Sequence, residues 1–255
     1  MVYEMANPST ASALFDGWEE TLIWSCLQGV MGKIYVTDMQ HPVSAMAVLG
    51  DFTFFAGDAN VELAAYKPHM CTQDFMIMIP QNKEWEHTIM NYYGTKAHLV
   101  QRYAIKKEPH IFHPEKLSGI VASLPDGYQL CPIDEPLYRL CKAHPWSLDL
   151  VSQYKDYAQY SRLGLGIAVC RDGIPVSGAS SYASYRGGIE IEIDTRKDYR
   201  RQGLASVCGA KLILECLKRN LYPSWDAQNR WSVALAEKLG YHYSHTYTAI
   251  EIIGY

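Results

Sequence analysis

The chain has 255 residues, of which 48% are hydrophobic, and a formal net charge of −4. That length exceeds a typical domain of about 100–150 residues, so two units or one enlarged domain are expected, with enough apolar side chains for a proper core. The mildly acidic balance excludes the electrostatic footprint of a protein that binds nucleic acid or an anionic membrane surface.

In chain order, Ser12 is a candidate cap for a first helix whose Phe15, Trp18, Leu22, Ile23, Cys26 and Leu27 fall on one face, ending near Gly29. KIYVTD and VSAMAVLGDFTFFAGD offer strands, with Gly50-Asp51 as a turn between two of them. DFMIMIP reads as a buried strand, NKEWEHTIMNYYG as a helix and AHLVQRYAIKK as an alternating strand. The segment 106–119, KKEPHIFHPEKLSG, combines charge, two prolines and few apolar residues, which marks it as the linker between an α/β unit over 1–110 and a second unit over 115–255. The helix–hairpin–strand order of the first half echoes the second, so it is either a degenerate copy of the same fold or an unrelated α/β domain.

No apolar run approaches the roughly 18–20 residues that span a bilayer, and MVYEMANPSTAS has neither the basic nor the apolar region of a signal peptide. Seven cysteines, Cys26, Cys71, Cys131, Cys141, Cys170, Cys208 and Cys216, are scattered and never form a CxxC pair. Neither a disulfide framework nor a zinc site is suggested. A cytoplasmic protein is expected. His110 and His113 lack the further ligands a metal needs, and Gly164 and Gly166 form a GxG without the third glycine of a dinucleotide fold.

The most informative stretch is GGIEIEIDTRKDYRRQGLA, Gly187 to Ala205. Ile189, Ile191 and Ile193 alternate with Glu190, Glu192 and Asp194, so a strand is expected with the isoleucines on one face and the carboxylates on the other. After Thr195 and a charged turn, a helix is expected to open at Gly203 and run to about Arg219. A helix N-terminus leaves amide N–H groups without intrahelical partners and carries roughly half a positive charge, so it favours an anion. Gly203 permits close backbone approach, and the Arg200 and Arg201 guanidinium groups match phosphate oxygens. Together they predict a pyrophosphate site.

Arg200-Arg201-Gln202-Gly203-Leu204-Ala205 resembles the [QR]xxGx[GA] cofactor signature of the GNAT superfamily of acyl-CoA-dependent N-acetyltransferases. Order and spacing extend the resemblance over about 115–255: LYPSWDA as a following strand, then Asn229, Ser232 and a helix closing in AEKLGY, with LPDGYQLCPID, two helical stretches and GLGIAVCRDGIPVSGASSYA ahead of the signature. It implies an α/β (α+β) fold, a mixed, mostly antiparallel twisted sheet flanked by helices. It also implies that acetyl-CoA is bound by the backbone of Ile193, Asp194 and Thr195, by the N–H groups of Arg201, Gln202, Gly203, Leu204, Ala205 and Ser206, and by Asn229 and Ser232. No metal is called for.

Direct acyl transfer to an amine needs a base for the ammonium proton, and Glu190 and Glu192 are the candidates, with Glu190 favoured as the one further from the pyrophosphate turn. The alternative is that this acidic face is simply solvated or paired with arginines. The family's usual leaving-group acid is a tyrosine at the position held here by Ala236. Tyr241, Tyr243, His242 or water could replace it, or the thiolate could leave unaided. Tyr154, Tyr157 and Tyr160 are expected to line a core edge, although the resemblance puts a helix facing the acceptor there. The layout, with a distinct N-terminal half, looks most like a bacterial group containing antibiotic-resistance acetyltransferases, so a small polar amine is the expected acceptor. A protein amine and a non-catalytic acyl-CoA sensor are the alternatives, and a homodimer is left open.

Overall fold

The computed structural model describes all 255 residues. In chain order the elements are β1 (Tyr3–Glu4), α1 (Thr21–Leu27), β2 (Lys33–Val36), β3 (Ser44–Leu49), β4 (Phe52–Gly57), α2 (Val61–Ala65), β5 (Phe75–Pro80), α3 (Lys83–Tyr93) and β6 (Ala97–Ile105). There follow α4 (Pro114–Ala122), β7 (Gln129–Pro132), α5 (Glu135–Ala143), α6 (Tyr157–Leu163), β8 (Gly166–Arg171), β9 (Ile174–Tyr185), β10 (Gly188–Thr195), α7 (Leu204–Lys218), β11 (Tyr222–Ser224), β12 (Asp226–Ala227), α8 (Arg230–Leu239) and β13 (Tyr243–Ile253). They form two compact units, one of Met1–Arg102 with Thr246–Tyr255 and one of Tyr103–His245.

In the first unit β1 to β5 lie side by side in order, and the end of β13 inserts between β5 and β6. The last strand of the chain therefore completes the first unit rather than the second. Ile250 and Ile252 are fully buried and pair with Met78 and Met76 of β5. Trp85 of α3 and Phe55 of β4 pack in the same core. The Gly50-Asp51 turn joins β3 to β4 as the sequence predicts. The first helix differs from expectation: Pro8–Phe15 is a 3-10 helix, the chain turns at Gly17 with φ +72°, and α1 starts only at Thr21. One continuous apolar face is thus cut by a left-handed glycine.

The second unit has a five-stranded sheet in the order β11-β10-β9-β8-β7. The charged stretch 106–119 is only partly a linker. Pro114 sits at the first turn of α4, where its missing N–H costs nothing, and Leu117 of that helix is fully buried in the core formed with α7. The two units repeat one scheme: helical segments, three antiparallel strands, a helix, a strand parallel to the third, then another helix. The parallel pairs are β4–β5 and β10–β11. The first half is thus a degenerate copy of the second.

Candidate functional site

The site grows from the point where β10 and β11 part. They pair in parallel at Gly188↔Tyr222, Ile189↔Pro223 and Glu190↔Ser224, and pairing ends there. Beyond Glu190 the strand continues to Thr195 with its other edge on β9, but the pairing with β9 slips between Glu190 and Ile191, where Ser181 and Tyr182 together oppose Ile191. Such a bulge bends a strand and re-aims its side chains. Ile189, Ile191 and Ile193 pack into one core, as the alternation predicts, while Glu190 is itself buried, 8% exposed, and Glu192 and Asp194 are half-buried. The carboxylates of Glu190 and Glu192 therefore occupy different surroundings.

Past Thr195 the chain makes a short 3-10 turn at Lys197–Tyr199 and reaches the arginine-glycine turn. Arg201 and Gly203 both stand in the left-handed region, with φ +62° and +81°, and a Cβ on Gly203 would meet nothing within 4 Å. Open space at a helix N-terminus, with Arg201, Gln202 and Gly203 all exposed, is what an anion needs. Gly203 is the N-cap of α7, as the sequence predicts, and Ser206 lies in its first turn.

Arg200 is less free than the sequence suggests. Its Nε donates to the Thr195 carbonyl at 3.0 Å and its Nη2 lies 3.6 Å from Asp194 Oδ1. This clasp joins the strand end to the turn. The Thr195 N–H donates to Asp194 Oδ1 at 2.6 Å, and Thr195 Oγ1 is 2.7 Å from Ser177 Oγ. Burial raises the Asp194 pKa, against the lowering effect of the Thr195 N–H and of Arg200. Two bonds that sequence reading missed brace the turn: Tyr128 Oη donates to Gln202 Oε1 at 2.7 Å, and Lys238 Nζ donates to Ser206 Oγ at 3.0 Å. Nothing in the spacing of residues so distant in sequence signals them.

Asn229 and Ser232 have structural tasks. Asn229 caps α8 by accepting from the Ser232 N–H at 3.0 Å, and Ser232 Oγ accepts from Trp225 Nε1 at 3.0 Å. Ala236 is fully buried. Of the substitutes for a leaving-group acid, Tyr241 is buried and donates to the Pro223 carbonyl at 2.6 Å, and burial pushes its phenol well above the ordinary value. The exposed His242 has its Nδ1 2.6 Å from Glu108 Oε2. Tyr154 and Tyr160 are core residues, with hydroxyls 2.7 Å from Ser181 Oγ and 2.9 Å from Ser180 Oγ.

The second unit is thus a mixed α/β unit in which the parallel β10–β11 pairing ends ahead of an open helix N-terminus. The chain belongs to the GNAT acetyltransferase family, whose model matches residues 12–250 and so takes in both units. A solved GCN5-related N-acetyltransferase-like protein from Streptococcus suis 89/1591 is 46% identical, with a TM-score of 0.91 over 97% of this chain and 99% of that one. The uncharacterised N-acetyltransferase YdfB of Bacillus subtilis (strain 168) is 25% identical, covering 94% of each chain. A tandem GNAT protein from the clavulanic acid biosynthesis pathway shares the fold alone, at 9% identity and a TM-score of 0.53 over 100% of this chain and 99% of that one. The chain is accordingly an acyltransferase of the N-acetyltransferase type. No helix is long and apolar enough to cross a membrane.

Proposed function

We propose that the second unit takes acetyl-CoA as its donor and transfers the acetyl group directly to the primary amine of a small polar molecule in the cytoplasm. The observation that carries this reading is the end of β10–β11 pairing at Glu190↔Ser224, which leaves the rest of β10 leading straight to the α7 turn. The pantetheine arm of the donor would lie along Ile193–Thr195, its pyrophosphate on the N–H groups of Arg201 to Ser206, and the end of its path near Asn229 and Ser232. The thioester would then lie close to Glu190. This carboxylate removes the ammonium proton, the freed amine attacks the thioester carbon, and the thiolate leaves. With Ala236 in place of a tyrosine and Tyr241 engaged by Pro223, the thiolate departs unaided or is protonated by water, which a thiol pKa of about 8.5 allows. Glu192, half-buried further along the strand, attracts the cationic acceptor.

The lack of an acid at Ala236 favours the second reading, a protein that binds acyl-CoA without turnover. Titration calorimetry with acetyl-CoA and CoA, followed by a screen of small amines with thiol release as readout, separates the two. Binding with turnover that Glu190→Gln, Glu192→Gln abolishes supports the enzyme. Binding without turnover on any amine supports the sensor, and absence of binding by the wild type removes both.

A further inference from the structure

Three adjacent strands meet around Gly188. A Cβ at this position would lie 2.3 Å from Tyr185 Oη and 2.3 Å from the Tyr222 carbonyl oxygen, so glycine alone leaves room for the β9 phenol to lie across β10. The phenol reaches β11, where Tyr185 Oη stands 2.9 Å from Ser224 Oγ. Ser224 is fully buried and is the register partner of Glu190, in the last pair before the strands separate. The hydroxyl pair thus lies at the strand position opposite Glu190, where the parallel pairing ends. Beyond the effect of burial, the negative charge of Glu190 raises the pKa of three phenols from different elements, Tyr185 of β9, Tyr222 of β11 and Tyr241 just after α8, and the Cys216 thiol of α7 acts on Tyr185 and Tyr241 in the same direction. Tyr222 is held by a bond from the Glu108 N–H at 3.0 Å and Tyr241 by its bond to the Pro223 carbonyl at 2.6 Å, so both hydroxyls are engaged by backbone groups. Tyr185 is held instead by a side chain that sits opposite Glu190.

We propose that Tyr185, anchored by Ser224, is a positioning residue for Glu190 that favours the ionised carboxylate and so sets the pH at which it accepts a proton. The inference rests on the reading of Glu190 as the base. In the step it serves, an N–H bond of the acceptor ammonium breaks, the electron pair stays on nitrogen, and the proton moves to a Glu190 oxygen. A carboxylate buried among apolar neighbours loses hydration, and the polar groups beside it determine how far its ionised form is favoured. Phenylalanine at 185 keeps the packing over Gly188 and deletes the dipole. Alanine at 224 keeps the phenol and deletes its anchor.

The test is a pH titration of ligand-free protein carrying 13C at the glutamate carboxyl carbons, with the Glu190 signal assigned by its loss in Glu190→Gln. Tyr185→Phe is expected to raise the Glu190 midpoint by about one pH unit, and Ser224→Ala to raise it by less in the same direction. Midpoints equal to wild type in both variants overturn the proposal. Should Tyr185→Phe fail to fold, judged by near-ultraviolet circular dichroism, Ser224→Ala alone decides between these results. Calorimetry with CoA on the same wild-type preparation reports separately on the cofactor reading, because the titration needs no ligand.

Discussion

Placing an aspartate at Gly203 should move stability and cofactor affinity in opposite directions, when compared with the asparagine of the same shape. Gly203 has φ +81° and faces open space, so a side chain there meets no clash and only the cost of the left-handed backbone. Asn and Asp tolerate that region better than other residues, at roughly 1 kcal/mol against glycine, and both variants bear it alike. Their difference is charge. In free protein the aspartate sits at the positive end of α7, worth about 0.3–1 kcal/mol, so Gly203→Asp should melt no lower than Gly203→Asn. With CoA bound, the same charge stands within about 4–6 Å of pyrophosphate oxygens. At effective dielectric constants between protein surface and water, screened by salt, that repulsion is on the order of 1–3 kcal/mol, or roughly a five- to 150-fold loss of affinity. Thermal denaturation without ligand and calorimetry with CoA measure the two effects. Equal CoA affinity in the Asp and Asn variants would refute the placement of the pyrophosphate at this turn.

Ile250→Ala, in the strand that closes the first unit, should lower stability by about 2–5 kcal/mol in chemical denaturation, because the side chain is fully buried against β5. Asn229→Ala should cost about 1 kcal/mol through the lost cap on α8; Asn229→Asp should keep the cap yet weaken CoA binding if this residue also faces the donor. Glu215 of α7 is held down to about 2 by Arg219, with smaller help from Lys218 and Lys211. Its depressed folded-state value means that it adds stability above an ordinary carboxyl pKa and loses it as pH falls toward 2. Glu215→Gln should therefore cost roughly 1–2 kcal/mol at pH 7, reduced by the exposure of its partners, and progressively less as pH falls through about 2, as followed by melting temperature against pH.

The second unit was legible in the sequence where local chemistry dictates structure. The start of α7 follows from a glycine that must adopt positive φ, and the strand before it from the regular spacing of Ile189 and Ile193. What escaped were consequences of pairing. The slip at Ile191 depends on β9 carrying one residue too many, Ser181 and Tyr182 against a single partner, and nothing in the β10 sequence reveals it. The period of two gives the face but not the depth: Glu190 is buried, while Glu192 and Asp194 on the same strand are half-buried. Similarly, Pro114 and the charges around it suggest a linker, and only the contact of Leu117 with α7 makes a helix of that stretch. The membership of β13 in the first unit is non-local in the same sense: its alternating pattern fits either sheet, and pairing with Met76 and Met78 decides.

The repeated topology raises the question of why only one copy carries the signature, and the first unit answers it in its own hydrogen bonds. There the parallel pair β4–β5 runs through Phe55↔Pro80 and is continued by Gln81, whose N–H donates to the Phe55 carbonyl at 3.0 Å. The Gln81 side chain then accepts from the Gly57 N–H at 2.9 Å, and Trp85 Nε1 donates to the Gly57 carbonyl at 2.8 Å. Both polar groups of Gly57 are thus taken by side chains from the same unit, at the point where a fork would otherwise expose strand edge to a ligand. The helix that follows is only Val61–Ala65, its first free N–H groups are met by the Asn60 side chain, and Asp58 and Glu62 place negative charge where an anion would need the reverse. The strand end and helix start that correspond to the proposed site are here satisfied by side chains of the first unit itself. If the first unit is sealed in this way, CoA should titrate the wild type at one site per chain, and the weakened binding of Gly203→Asp should leave no second, unaffected site.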